Sequence, residues 1–496
     1  MGSAHKVFSG VVWSITANIL SAVSGFIATP YLINYFGRSE YGLISLATSV
    51  NGYMAIMDLG LSSTNVRFFS NWIAKGDTEK VKGLMQTCTA FYSIIGVINA
   101  VILVALSISP NKIFNVTTAQ SEVLTQLLLM LAFTAIINWY TSCFGQLISA
   151  TENVAWVQKR NVVSKILYIL VVVLTLWMNL DLVHFYLGTI IANLIILPAT
   201  IRKVFKEASY ISFLPRFDYK IFKSILPYSL GIFSFAVFQS SYTNLRTVFL
   251  GVQGNVESLT DNSILLSIVG LVSIVGRVFI GTLLPSTSRI VANNDKERYE
   301  VVAYRGTHYI TAVLCFCSFG LITVGEDLMM VYVGSDFMHL IPWLNIMLVL
   351  TITSNVSAIS SLVLASSNLR PLLFSSASAC ISGLVACWFS IPYLQVGGVV
   401  IAMIVYNVVQ QLFYYLYYWP KILKINSWRI FIHTDVPFIL SGLFIVLLLD
   451  IIPHFANHWI NIFVLGTLFS ILYLGGCFFI LTKDDRRFIY KVVKER

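Results

Sequence analysis

What most constrains this chain is a succession of long apolar segments: fourteen stretches of about twenty mostly nonpolar residues follow one another with only short polar breaks. They lie near 8–33, 42–63, 84–109, 123–149, 161–180, 183–201, 224–249, 263–286, 307–325, 338–365, 372–391, 397–419, 435–452 and 459–481. About 20 residues of α-helix cross the roughly 30 Å of bilayer hydrocarbon with every backbone group bonded internally. The expected fold is therefore all-α, a polytopic membrane protein. Composition agrees, since 11% of the 496 residues are charged and 57% are hydrophobic, whereas soluble domains carry about 25% charged residues.

Positive charge orients the segments, because Lys and Arg collect in cytoplasmic loops. With Lys6 inside, the cytoplasmic segments hold 28 of the 32 Lys and Arg, the opposite face holds Arg38 and Lys112, and Arg246 and Arg277 fall within spans. One helix missed near the middle would destroy that allocation. Fourteen helices with both termini cytoplasmic is thus the expected topology, and the net charge of +10 is a consequence of it. The basic residues are dispersed over short loops and not gathered on one face, which argues against a nucleic-acid partner. The first apolar run is too long for a cleavable signal peptide and reads as an uncleaved anchor.

The longest connection, near 202–223, is basic, contains Pro215 and is expected along the cytoplasmic surface. Beyond it the first half is weakly echoed. "YFGRSEYGLISLATS" leads to "LGLSSTNVRFFSNWIAKGDTEK", and "FLGVQGNVESLTDNSILLSIV" leads to "FIGTLLPSTSRIVANNDKER". Each places a Gly-containing outer turn before a helix ending in Arg67 or Arg289 and an acidic turn at Asp77 or Asp295. Internal repeats of this kind build many transporters. The expected organisation is an N-lobe of helices 1–6 over 1–206, a C-lobe of helices 7–12 over 207–420, and helices 13–14 with a basic tail over 421–496.

Polar residues inside spans are costly and face a bundle interior, a cavity or a partner. Ser14, Asn18, Ser21 and Gly25 share one face of the first helix. In the seventh, Gln239, Thr243 and Arg246 share a face, with Tyr242 and Asn244 adjacent; the eighth carries Ser263, Ser267, Gly270, Arg277 and Gly281. Close packing of small residues accounts for Ser and Gly alone, but not for Arg277. That arginine stands about 21 Å from Ser263 and about 18 Å from Arg289 along a helix, near the midplane. It needs a wet cavity, an anionic substrate, or a buried acid such as Asp58 or Asp450. Arg246, closer to its helix end, can reach the outer surface.

Other chemistry finds little support. All seven cysteines lie in spans without metal-ligand spacing and read as packing residues. His454 and His458 follow Pro453 in a loop, where solvated histidines are expected, and the sequon Asn115-Val116-Thr117 is short enough to arise by chance. No nucleotide-binding glycine loop, HExxH, GxSxG or exposed carboxylate pair occurs. A secondary transporter fits better than an ATP-driven pump or a hydrolase, and no enzyme is expected.

The segment "YLINYFGRSEYGLISLATSVNGYMAIMDLGLSSTNVRFFSNWIAKGD", residues 31–77, resembles the polysaccharide transporter family, whose members show an outer G…YG turn, a second helix, then DLGL, an arginine and a GD turn. "YTNLRTVFLG" and "LLPSTSRI" are similar to the corresponding places of its second half. The family belongs to the multidrug, oligosaccharidyl-lipid and polysaccharide exporter superfamily. The resemblance implies two six-helix lobes around a central cavity, alternating access, and flipping of an undecaprenyl-diphosphate-linked oligosaccharide across the bacterial inner membrane for O-antigen or capsule synthesis. Asp58 and Arg67 match the motif and are assigned to the inner gate; Asn244 stands where the family often has aspartate.

A diphosphate needs cations in a wet cavity, and an oligosaccharide needs amides, hydroxyls and aromatic faces. The expected substrate-binding residues are Arg277, Arg246, Asn18, Gln239, Asn244 and Tyr242. No cofactor or metal is implied; the coupling ion, H+ or Na+, stays open. Membrane lipids are expected partners, with a glycan polymerase and chain-length machinery. The alternatives are a drug or cation exporter of the same superfamily, which would favour acids in its cavity, and an integral-membrane glycan polymerase or glycosyltransferase, which usually needs a sizeable loop or an acidic metal motif.

Overall fold

The computed structural model describes residues 3–292, 296–356, 370–453 and 455–481. Twelve of its helices are long and apolar enough to cross a membrane, and the bent pair Tyr219–Ser234 and Val237–Gln253 makes a thirteenth. Large apolar side chains stand outward on these helices: Phe133, Trp177, Phe444, Phe463 and Phe479 are all exposed. Lipid is the solvent that tolerates such a surface. The chain is a multi-pass, all-helical protein that packs as two compact units, Met1–Ile264 with Gly383–Ala402, and Leu265–Ser382 with Met403–Arg496.

The first unit begins with α1 (Ser3–Phe36), α2 (Arg38–Tyr53), a 3-10 turn (Met54–Asp58) and α3 (Leu61–Ala74). The expected second span, 42–63, is therefore not one continuous helix. Leu59 and Gly60 take left-handed backbone angles, φ 51° and 73°, which no α-helix accommodates. The break is satisfied on both sides. Ser62 donates its backbone N–H at 3.1 Å and its hydroxyl at 2.9 Å to the Asp58 carboxylate, and the freed Leu59 carbonyl accepts from Ser229 Oγ at 2.5 Å.

Four long helices follow: α4 (Thr78–Ser107), α5 (Thr118–Ala150), α6 (Val154–Met178) and α7 (Leu182–Ile195), with α8 (Leu197–Glu207) continuing the last beyond a break at Ile196. Gly96 lets α4 approach Ile136 and Trp139 of α5. Leu84, Cys88, Tyr92, Phe144 and Leu147 are buried between them. Thr117 caps α5 in a reciprocal capping box with Gln120, and the Asn115 amide donates to the Gly254 carbonyl at 3.0 Å, so both polar ends of the sequon serve the fold. Then comes α9 (Tyr219–Gln253), packed on α2, α3 and α4.

α10 (Val256–Ala292) starts in the first unit and runs into the second. The second unit continues with α11 (Lys296–Thr323), α12 (Gly325–Tyr332) and α13 (Ile341–Ile352). Next come α14 (Arg370–Leu394) and α15 (Val396–Phe413), of which Gly383–Ala402 belongs to the first unit. A π-helical stretch, Tyr414–Leu423, leads to α16 (Ser427–Ile430), a second π-helical turn (Phe431–Asp435), α17 (Val436–Leu449) and α18 (His458–Ile480). Its core joins α11, α17 and α18 through Phe319, Phe438, Phe469 and Tyr473. All seven cysteines are free, and six are buried.

Candidate functional site: a polar, cationic cavity system in the first unit

A cavity of about 840 Å³ lies in the first unit among α3, α5, α6, α7 and α8. Its wall is unusually polar for a membrane span: Ser62, Asn138, Gln146, Arg160, Asn161, Ser164, Thr189 and Asn193 all face it. A second cavity of about 200 Å³ shares Asn161 and Ser164 with the first and adds Asn18, Ser21, Gln158 and Lys165. A third, about 370 Å³, shares Lys165 and Ser21 with the second and Thr189 and Asn193 with the first. The common wall residues make these one neighbourhood carrying two cations, Arg160 and Lys165, five residues apart on α6. Among the described lining residues there is no carboxylate.

Local structure explains the placement. Arg160 reaches Asn161 Oδ1 at 3.4 Å, and Ser164 donates to Asn193 of α7 at 2.7 Å. Lys165 lies 6.0 Å from the Tyr168 ring centre, whereas Lys159, on another side of α6, covers Trp13 of α1. Arg160 and Lys165 were counted above with the cytoplasmic loops; the structure places both inside the helical span Val154–Met178. They are the cavity-lining cations that charge-counting misses. The legible signal is that Arg160 and Ser164, and Asn161 and Lys165, are each i, i+4 pairs, so the four residues fall within a polar arc of about 140° on α6.

Of the residues expected at a site, Asn18 lines the cavity that holds Lys165, its amide donating to the Ser14 carbonyl at 2.9 Å. Arg246 and Tyr242 are brought together on α9, the guanidinium 5.1 Å from the ring centre. Arg246 is 6% exposed, and its Nε and Nη1 find no hydrogen-bond partner, so it does not extend to the surface as a snorkelling side chain would. Gln239 is exposed; Asn244 is half-buried against Gly52, its amide donating to the Ser240 carbonyl at 3.0 Å. Arg277 belongs to α10, and its side chain lies outside the described residues.

Asp58 and Arg67 do not meet. The Asp58 carboxylate caps α3 and accepts from Tyr92 of α4 at 2.7 Å; Gln146 of α5 then donates to Tyr92 and to Ser62, each at 3.0 Å, and accepts from Asn65 at 2.9 Å. Arg67 lies 4.2 Å over the Tyr228 ring of α9. With the Leu59–Ser229 bond, the DLGL segment and its arginine thus form the dock between α3 and α9. Asp450 is exposed at the end of α17. His458 is not merely solvated: its Nδ1 lies 2.7 Å from Oδ1 of buried Asp327, which also accepts from Asn461 at 2.9 Å.

The solved structure of the lipid II flippase MurJ in an inward closed conformation matches with a TM-score of 0.69 at 13% identity, covering 93% of this chain and 98% of that one. An inward-facing multidrug resistance MATE family transporter of the MOP superfamily gives 0.61 at 12% identity, covering 88% and 95%. Identities this low carry the fold alone. The uncharacterized membrane protein EpsK of Bacillus subtilis (strain 168) is 26% identical over 106 residues, 21% of this chain and 21% of EpsK, so the match spans about a fifth of that relative. The family described as Polysaccharide biosynthesis protein matches residues 7–291. With more than half its length matched, the chain belongs to the polysaccharide biosynthesis protein family.

Proposed function

We propose that the protein is a flippase that carries undecaprenyl-diphosphate-linked oligosaccharide repeat units across the bacterial inner membrane for surface polysaccharide synthesis, O-antigen or capsule. The observation that carries this reading is the cavity system of the first unit, which has cations and many neutral donors and no acid among its described lining residues. A diphosphate is held by charge-assisted hydrogen bonds. Sugar hydroxyls pair with amides and hydroxyls such as Asn18, Asn161 and Asn193. A cationic drug would meet Arg160 and Lys165 as like charges, which disfavours the drug-exporter alternative.

Transport proceeds by alternating access with no covalent chemistry. Rocking of the expected lobes, 1–206 against 207–420, has to part the ion pair of Arg38 on α2 with Asp261 on α10, 2.6 Å apart, and the dock of α3 on α9, so Asp58 and Arg67 act at a gate by shaping that dock. Arg246 and Arg277 are further phosphate ligands in this scheme. The test is genetic: deletion in the source bacterium should leave lipid-linked repeat units in the inner leaflet, and plasmid-borne wild type should restore surface glycan while the Arg160→Gln, Lys165→Gln double variant, shown to be inserted and folded, should not. Full restoration by that variant would remove the reading.

A further inference from the structure

The second unit buries a carboxylate that the substrate path does not use. Asp435 is 1% exposed and lies within the apolar segment Ser427–Leu449. Its Oδ1 accepts from Thr311 Oγ1 of α11 at 2.9 Å and from Thr434 Oγ1 at 3.3 Å; its Oδ2 accepts from Tyr415 OH at 2.7 Å. Tyr415 and Asp435 both stand in π-helical stretches, Tyr414–Leu423 and Phe431–Asp435. Such turns are rare and frequent at functional sites; here two are joined through one hydrogen bond. Both residues border a cavity of about 530 Å³ lined mainly by apolar side chains, with Thr353, Asn407 and Gln411 among the few polar ones.

An ionised carboxylate inside a membrane protein is expensive, and hydroxyl donors offset that expense. The neutral and ionised forms of Asp435 are therefore held by opposing terms, and displacing one donor shifts the balance between them. A π turn relaxes to α by a local change of register, and both Tyr415 and Asp435 sit on one. A carboxylate needed only for packing requires neither the two π stretches nor three hydroxyl donors gathered from three elements.

We propose that Asp435 is a proton-loading site of the second unit, with Tyr415 and Thr311 as the hydroxyls that hold its anion. On loading, a proton delivered from bulk hydronium adds to Oδ2, giving the neutral acid and releasing the Tyr415 hydroxyl; on unloading the proton returns to bulk water. Titratable neighbours on the packed elements are Tyr415, Cys315 one turn beyond Thr311, Tyr473 and Cys477 of α18 beside Cys315, and His308, whose ring packs 4.7 Å from that of Phe438. His433, on the same π turn, is exposed. The site does not depend on which substrate the first unit carries.

The full-length protein in lipid nanodiscs is titrated by infrared difference spectroscopy. A reversible carboxylic-acid C=O band is expected, lost in Asp435→Asn and kept in Asp450→Asn, with Tyr415→Phe shifting proton affinity about tenfold through the lost hydrogen bond. Should Asp435→Asn fail to fold, Asp435→Glu, which moves the band, and Tyr415→Phe carry the test. A band indifferent to Asp435 and Tyr415 substitutions, no titrating band, or a signal that answers Na+ at constant pH and not pH would each overturn the proposal.

Discussion

Arg38 and Asp261, 223 residues apart, form a two-pronged ion pair: Nε donates to Oδ1 at 3.0 Å, and Nη2 to Oδ1 at 2.7 Å and Oδ2 at 2.6 Å. It fastens the start of α2 to the start of α10, on the side expected to face outward. Thr260 Oγ1 also donates to the Arg38 carbonyl, and Gly42 packs directly under the Val256 carbonyl. Asp261 is only 3% exposed, so removing Arg38 strands a buried charge. Arg38→Ala and Asp261→Ala should each lower thermal stability in detergent, and a double-mutant cycle should return a coupling of about 2 kcal/mol. Additive effects would show that the pair contributes nothing of its own.

Gly60 and Gly76 test the dock of α3. Both have left-handed backbones, φ 73° and 70°. A Cβ at Gly76 meets open space, whereas one at Gly60 would stand 2.7 Å from the Ser229 carbonyl oxygen and 2.9 Å from the Phe233 nitrogen. Gly76→Ala is expected to cost about 1 kcal/mol, and Gly60→Ala clearly more, with α9 displaced. Equal melting temperatures for the two variants would contradict this.

Gln146 ties Asn65, Ser62 and Tyr92 into the Asp58 network beside the main cavity. Gln146→Leu leaves buried Asn65 and Tyr92 each short of a partner, at an expected loss of about 2 kcal/mol. Tyr92→Phe should cost less, since Asp58 keeps both Ser62 donors. Calorimetric or fluorescence melting of the three proteins decides the order.

Arg246 predicts effects of opposite sign on stability and function. Two of its buried nitrogens lack partners, and an unpaired buried charge weakens a fold. Arg246→Met should raise the melting temperature while lowering surface glycan. A fall in both would mark Arg246 as a structural residue.

Lys159→Gln should leave glycan output unchanged, because Lys159 covers Trp13 at 4.9 Å outside the cavity, whereas Arg160→Gln and Lys165→Gln should each reduce it about tenfold or more, one lost charge-assisted contact apiece. Immunoblots of surface glycan against protein level separate the cases.

The sequence by itself determined the solvent, the helical class and the approximate position of nearly every span, because hydrocarbon leaves a long apolar segment no other way to satisfy its backbone. It also marked "DLGL" and Arg67 through their likeness to a family. Tertiary structure alone decided how those residues pack: the break at Leu59–Gly60 depends on Ser229, 170 residues away, whose hydroxyl donates to the freed Leu59 carbonyl. The span boundary drawn by hydropathy at 161 likewise left Arg160 in a loop, and the charge count placed Lys165 there too, since a window of apolar residues cannot tell that two cations near its edge face a cavity. Asp327 and Asp435 became visible only once Asn461, His458, Tyr415 and Thr311 were seen to converge on them. Periodicity reports which residues share a helix face, but the partner opposite that face is chosen by packing.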